Sequence, residues 1–123
     1  MLGYTTIGTK DLAKACAFYN ALLEPIGGKQ LMGLDRIKFY GDGKGGAMLA
    51  VCTPVDGGEQ SCGNGQMIAI PGGSEEGSDA LYHKALELGA TCDGKPGWRN
   101  DFFYGAYVRD LDGNKIAFYH MTL

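Results

Sequence analysis

The amino-acid sequence predicts an α+β fold: two tandem βαβββ modules that form an open, curved, cleft-forming mixed β-sheet with the helices on its convex side. Three observations predict it. Once in each half of the chain, apolar residues switch from the two-residue alternation of strands to the 3.6-residue period of a helix and back. The chain closes on a hairpin pattern, Tyr107-Val108-Arg109-Asp110-Leu111-Asp112-Gly113-Asn114-Lys115-Ile116-Ala117-Phe118-Tyr119, in which short polar residues and a glycine divide two apolar runs. Sliding the chain against itself by 63 positions brings Ile7 onto Ile70, Tyr19 onto Tyr82, Leu23 onto Leu86 and Glu24 onto Glu87.

Taken in order, Tyr4 to Thr9 is rich in β-branched residues and reads as the first strand. Asp11 or Thr9 is placed to cap a helix in which Leu12, Ala15, Tyr19, Leu22, Leu23 and Ile26 share one face. Pro25 disfavours helical geometry at Glu24, and Gly27-Gly28 closes the segment. Three strands follow near residues 30–34, 37–40 and 47–53, the last two divided by the glycine-rich turn from Gly41 to Gly46. A polar, glycine-rich connector over 55–64 joins modules of about 1–54 and 65–123 within a single domain. The second module opens with a strand from Gln66 to Ile70. Ser74 then caps a helix that runs to about Leu88, with Leu81, Ala85 and Leu88 on one face and Gly89 as its stop. Ala90 to Asp93 reads as a short strand and Trp98 to Phe103 as a loop before the closing hairpin.

Bulk properties narrow the function. A chain of 123 residues can bury a core without disulfides or a structural metal. No apolar run approaches the ~20 residues of a membrane span, and Met1-Leu2-Gly3 runs into a strand without a basic leader, so a cytoplasmic protein with no membrane partner is expected. The formal charge is −3 and the basic residues are scattered, which argues against a nucleic-acid partner. Cys16, Cys52, Cys62 and Cys92 form no C-x-x-C pair, the spacing a zinc knuckle or a dithiol needs. Cys16 and Cys52 read as small buried hydrophobes. Cys62 sits in a glycine-rich loop, where a nucleophilic role would need a neighbouring base. Gly41 to Gly46 lacks the G-x-x-x-x-G-K-[ST] of a phosphate-binding loop and reads as turns.

The Asp110-Leu111-Asp112-Gly113-Asn114 turn near the C-terminus and the opening Tyr4-Thr5-Thr6-Ile7-Gly8-Thr9-Lys10-Asp11-Leu12 leading into Ala17-Phe18-Tyr19 resemble the vicinal oxygen chelate superfamily, over essentially the whole chain. That superfamily includes glyoxalase I, extradiol dioxygenases, fosfomycin-resistance enzymes and bleomycin-resistance proteins. The resemblance implies a cleft whose metal-dependent members place ligands on the first, fourth, fifth and eighth strands. Imidazole and carboxylate groups there leave open positions for a substrate's oxygens. Mapped by the matching motifs, these positions fall on Tyr4, near Leu49, on Met67 and on Ala117; the offset of 63 independently places Met67 on Tyr4. None of the four is a usual ligand for an oxygen-chelating divalent ion, so no metal and no other cofactor are expected. The two histidines do not rebuild the set: His120 alternates to the face opposite Ala117, and His83 lies in the second helix. Turn chemistry already accounts for Asp110 and Asp112.

Strand alternation places Tyr4, Thr6, Met67, Ala69, Lys115 and Tyr119 toward the cleft, joined either by Tyr104 and Ala106 or by Tyr107 and Arg109. Trp98 and Arg99, in the loop before the final hairpin, are expected at the mouth, where Arg99 could pair with a carboxylate or phosphate. An aromatic, apolar lining with a few polar tips suits a small organic molecule. The same aromatics could equally be packing that fills the cleft, and Arg99 a solvated charge. Three functions follow: a metal-independent binding protein of the bleomycin-resistance kind, a glyoxalase-like lyase or isomerase with a non-standard site, or an assembly domain with a closed cleft. The resemblance also implies a homodimer.

Overall fold

The computed structural model describes residues 1–122. The chain divides into two compact units, Met1–Cys62 and Gly63–Leu123, so most of the segment 55–64 belongs to the first unit. Each unit is a βαβββ module with its own four-stranded mixed sheet.

The first module contains β1 (Tyr4–Gly8), α1 (Leu12–Leu23), β2 (Lys29–Leu34), β3 (Ile37–Gly41) and β4 (Met48–Cys52), in the sheet order β1-β4-β3-β2. β1 runs parallel to β4, with Tyr4 beside Met48, Thr6 beside Ala50 and Gly8 beside Cys52; the other two pairings are antiparallel. Asp11 is the helix cap, its carboxylate accepting from the Lys14 amide at 3.1 Å, while the buried Thr9 hydroxyl bonds the Asp11 backbone. α1 buries Ala15, Phe18, Tyr19, Leu22 and Leu23. It stops at Leu23, and Pro25 opens a 3-10 turn over Glu24–Ile26, so Ile26 leaves the buried face and is exposed.

The second module repeats the plan with β5 (Ile68–Pro71), α2 (Glu75–Glu87), β6 (Thr91–Trp98), β7 (Phe103–Arg109) and β8 (Lys115–Met121), in the order β5-β8-β7-β6. Ser74 caps α2 by accepting from the Gly77 amide at 2.9 Å, with Glu75 and Glu76 in the first turn and Lys84 in the last, as the helix dipole favours. The sequence-predicted strand at Ala90 to Asp93 extends to Trp98. Register shifts between Cys92 and Gly94 and between Gly94 and Gly97 let β6 continue past Pro96, which is tolerated on an edge strand. Trp98 is therefore the last residue of a strand, and Phe103 the first of the next.

The β7–β8 turn is fixed by one side chain. The Asp110 carboxylate accepts from the backbone amides of Asp112 and Asn114, both at 2.9 Å, and from the Asn114 side chain at 3.0 Å. Gly113 takes φ 88°, a left-handed conformation that a Cβ would strain. This turn sets Arg109 opposite Lys115, and the whole register of β7 on β8 follows from that pair.

Candidate functional site

In each sheet one face packs on the helix of its own module. In the second module, Tyr104 reaches α2, its hydroxyl donating to Asp79 Oδ1 at 2.6 Å, and the alternate residues Ala106 and Val108 are fully buried. Their partners on β8 are His120, Phe118 and Ile116. The opposite, cleft-type face therefore carries Phe103, Gly105, Tyr107 and Arg109 from β7 against Met121, Tyr119, Ala117 and Lys115 from β8. Register thus chooses Tyr107 and Arg109 over Tyr104 and Ala106. Ala69 of β5, paired with Ala117, lies on the same face.

This face is aromatic and cationic. Phe103 and Tyr119 stack with ring centroids 5.5 Å apart and planes 7° from parallel. The Phe103 ring covers Gly105, where a built Cβ would come 2.5 Å from the ring. The Tyr107 ring has two cations near it: the Arg99 guanidinium 5.0 Å and the Lys115 ammonium 5.1 Å from its centroid. Glycines in β6 permit this. A Cβ at Gly94 would meet Tyr107 at 2.6 Å and the Arg99 guanidinium at 3.4 Å, and one at Gly97 would meet the same guanidinium at 3.4 Å. Arg99 folds back over β6 and is anchored by donating to the Lys95 carbonyl. Beside it, Asp93 Oδ2 accepts from Arg109 Nε at 3.1 Å and sits 3.4 Å from Lys115 Nζ. Met67, just before β5 and exposed, joins the run 63–66, Arg109 and Lys115 around a pocket of about 340 Å³.

In the first module the helix face holds Thr5, Ile7, Leu49, Val51 and Tyr40, whose hydroxyl donates to the Cys16 carbonyl of α1 at 3.4 Å. Leu49 thus lies on the helix face. The internal repeat relates the two modules: Ala117 pairs with Ala69, the offset of 63 relates Ala69 to Thr6, and Thr6 pairs with Ala50. By the repeat, Ala50 is the fourth-strand residue equivalent to Ala117. Tyr4 is half exposed and meets Phe39 edge-on at 4.9 Å. Thr6 is exposed on the same face, and the Gln60 side chain lies over Gly8, where a Cβ would approach it to 2.9 Å.

Among the described residues no three His, Cys, Asp or Glu side chains gather as a metal-binding group. His83 is exposed on α2 against Tyr82, and His120 shares the helix-side face with Tyr104. Trp98, expected in a loop, is the last residue of β6. It pairs with Tyr104, meets its ring edge-on at 5.5 Å, and so lies on the helix-side face of β6, away from Tyr107. Sequence reasoning missed Phe103, which it assigned to a loop, and Asp93, which alternation alone could not place across a bulged strand. It also passed over Cys92, whose thiol pKa is lowered chiefly by a hydrogen bond with Tyr82 and then by the Gly94 backbone. Cys92 pairs with Val108, so it too stands on the helix side.

Paired βαβββ modules of this topology define the vicinal oxygen chelate class of folds. Over 99% of both chains this one is similar, at 32% identity and a TM-score of 0.90, to a glyoxalase/bleomycin resistance protein from Albidiferax ferrireducens T118. The chain belongs to the glyoxalase/bleomycin resistance protein family. It is also similar to a hypothetical protein from S. aureus, at 25% identity and a TM-score of 0.72 over 98% of this chain and 96% of that one. A glyoxalase/bleomycin resistance protein/dioxygenase family enzyme from Burkholderia phytofirmans PsJN shares the fold at 18% identity and a TM-score of 0.77, covering 98% of each chain. No family model matches the sequence. No curated protein matches it significantly. No helix among the described residues is long and apolar enough to cross a membrane.

Proposed function

We propose that this chain is a small-molecule-binding member of its family, of the bleomycin-resistance kind, that holds an aromatic or amphipathic organic molecule without a divalent metal. The observation that supports this reading is the face of the second module, where stacked Phe103 and Tyr119 and the cation-flanked Tyr107 lie beside the pocket at Met67. Aromatic surface supplies area for a planar ligand, and Arg99 and Lys115 complement negative charge on it. Tyr4 and Thr6 offer a second, less polar surface on the first module.

By the resemblance, the ligand positions of metal-dependent relatives map to Tyr4, near Leu49 (Ala50 by the internal repeat), Met67 and Ala117. Their side chains offer one phenol and one thioether, which suits no oxygen-chelating divalent ion. A lyase or isomerase would need an acid or base in place of the metal's polarisation, and neither histidine lies on a cleft-type face. Binding is therefore the better reading. The family resemblance further supports a homodimer; a clean monomer in sedimentation at micromolar concentration would defeat that part.

The test has two measurements. After incubation with zinc, nickel, manganese and iron and then desalting, mass spectrometry is expected to find almost no metal per chain. A panel of small aromatic compounds at saturating concentration should raise the melting temperature by several degrees, since a ligand at a hundred times its Kd stabilises by about 2.7 kcal/mol. About one retained ion per chain would overturn the metal-free reading, and a panel without any shift would overturn the binding reading.

A further inference from the structure

We infer that the second module selects a planar aromatic carboxylate, and that Asp93 is the internal counter-ion which that carboxylate displaces. The inference rests on the binding function proposed above and assigns it a ligand class and two further residues, Arg109 and Asp93.

Charge is the first argument. Arg99, Arg109 and Lys115 bring three cations to one face, and Asp93 is the carboxylate paired with two of them. The excess is positive, in a chain whose formal charge is −3. A cationic ligand would be repelled here. A neutral one would leave the excess unused.

Geometry is the second. One oxygen of Asp93 serves both Arg109 and Lys115, at 3.1 and 3.4 Å, longer than a well-formed charge-assisted bond of about 2.8 Å. The three side chains are 40%, 32% and 32% exposed, so solvent screens the pairing and little is lost when it opens. Arg109 Nη1 donates to the Gly113 carbonyl, which holds the guanidinium in place, while Nη2 has no partner among the described residues. Nε and Nη2 form the guanidinium edge that a carboxylate grips with two parallel hydrogen bonds. Asp93 uses half of that edge. A ligand carboxylate can use all of it and meet Lys115 as well.

Spacing is the third. Tyr107 and Arg109 are two residues apart on one strand face, roughly 7 Å. A ring laid against Tyr107 therefore brings a carboxylate one ring further on to the Arg109 edge. The pocket of about 340 Å³ beside Arg109 and Lys115 is at the small end of ligand sites, which fits a ligand of one or two rings.

Titration calorimetry at low salt with 2-naphthoate and its neutral analogue 2-naphthylmethanol tests this on the full chain and on R109Q, K115Q and D93N. The native chain is expected to bind naphthoate about tenfold more tightly than the alcohol. R109Q and K115Q should each weaken naphthoate several-fold more than they weaken the alcohol, and an unchanged melting temperature of each variant would show that the face is intact. D93N should tighten naphthoate several-fold. If the alcohol binds as well as the acid and neither cation variant changes either, the carboxylate assignment fails while the aromatic-binding function stands. If D93N weakens naphthoate, Asp93 positions the cations and is not displaced. If neither probe binds at millimolar concentration, both readings fail.

Discussion

The two modules have the same strand order and the same pairing plan, yet their cleft-type faces differ in chemistry. The first module presents Tyr4, Thr6, Phe39, Met48 and Ala50, an apolar surface with one hydroxyl from threonine and one from tyrosine. The second presents Tyr107, Tyr119, Arg109 and Lys115, with Arg99 and Asp93 against them. Backbone topology is indifferent to this choice, because strand order and register are carried by main-chain hydrogen bonds. A duplicated fold can therefore keep one such face apolar and make the other aromatic and charged without refolding either.

The comparison can be broken first in the cores. Phe118 and Val51 occupy equivalent places, paired on the parallel strand with Ile70 and with its repeat partner Ile7 respectively. Both are almost wholly buried. Phe118→Ala should cost about 4 kcal/mol and Val51→Ala about 2 kcal/mol, in proportion to the volume removed. Urea midpoints at constant slope would measure both, and equal losses would mean that the two cores do not relax alike.

The turns come next. Asp110 is nearly buried and organises the β7–β8 turn, whereas Asp42, in the corresponding β3–β4 connection, is exposed and accepts from the Lys44 amide. Asp110→Ala strands buried amides of its own turn and should cost about 3 kcal/mol. Asp42→Ala should stay within ~0.5 kcal/mol. A large effect at Asp42 would erase the distinction drawn between a built turn and a solvated one.

The smallest effects concern the two tyrosines that tie each sheet to its helix. The hydrogen bond to Asp79, with burial second, pushes the Tyr104 pKa from 10.0 up to about 12. Burial, with Cys16 second, raises that of Tyr40. A folded-state pKa above the unfolded one means stability is full below pH 10 and falls as the pH rises, for Tyr104 through about 12. Thermal unfolding of the wild type should therefore decline relative to Tyr104→Phe between these pH values. Tyr40→Phe should show the same sign of difference. A wild type that tracks both variants through alkaline pH would show that neither hydroxyl is held in its neutral form.

Much of the fold was legible in the sequence because local signals agreed with it. Asp11 and Ser74 cap the helices they precede, Gly113 takes the positive φ its turn requires, and the offset of 63 relates strands that pair in the same way. Alternation also set Tyr4 and Thr6 on one face and put His120 opposite Ala117, since a two-residue period survives in any unbroken strand. It failed where periodicity was interrupted. The bulges at Gly94 and Gly97 carried β6 through a proline to Trp98, which turned that residue to the helix side and brought Asp93 to Arg109 and Lys115. Which residues of the apolar strand Met48-Leu49-Ala50-Val51-Cys52 face the helix was not legible, because such a strand shows no face of its own. The sequence by itself determined the two modules, their helices and the absence of metal-ligand residue types at the four mapped positions. Which side chains meet on the cationic face was decided only by tertiary register, because residues from three strands and a loop are adjacent there for reasons of pairing and bulge geometry that no short stretch of chain contains.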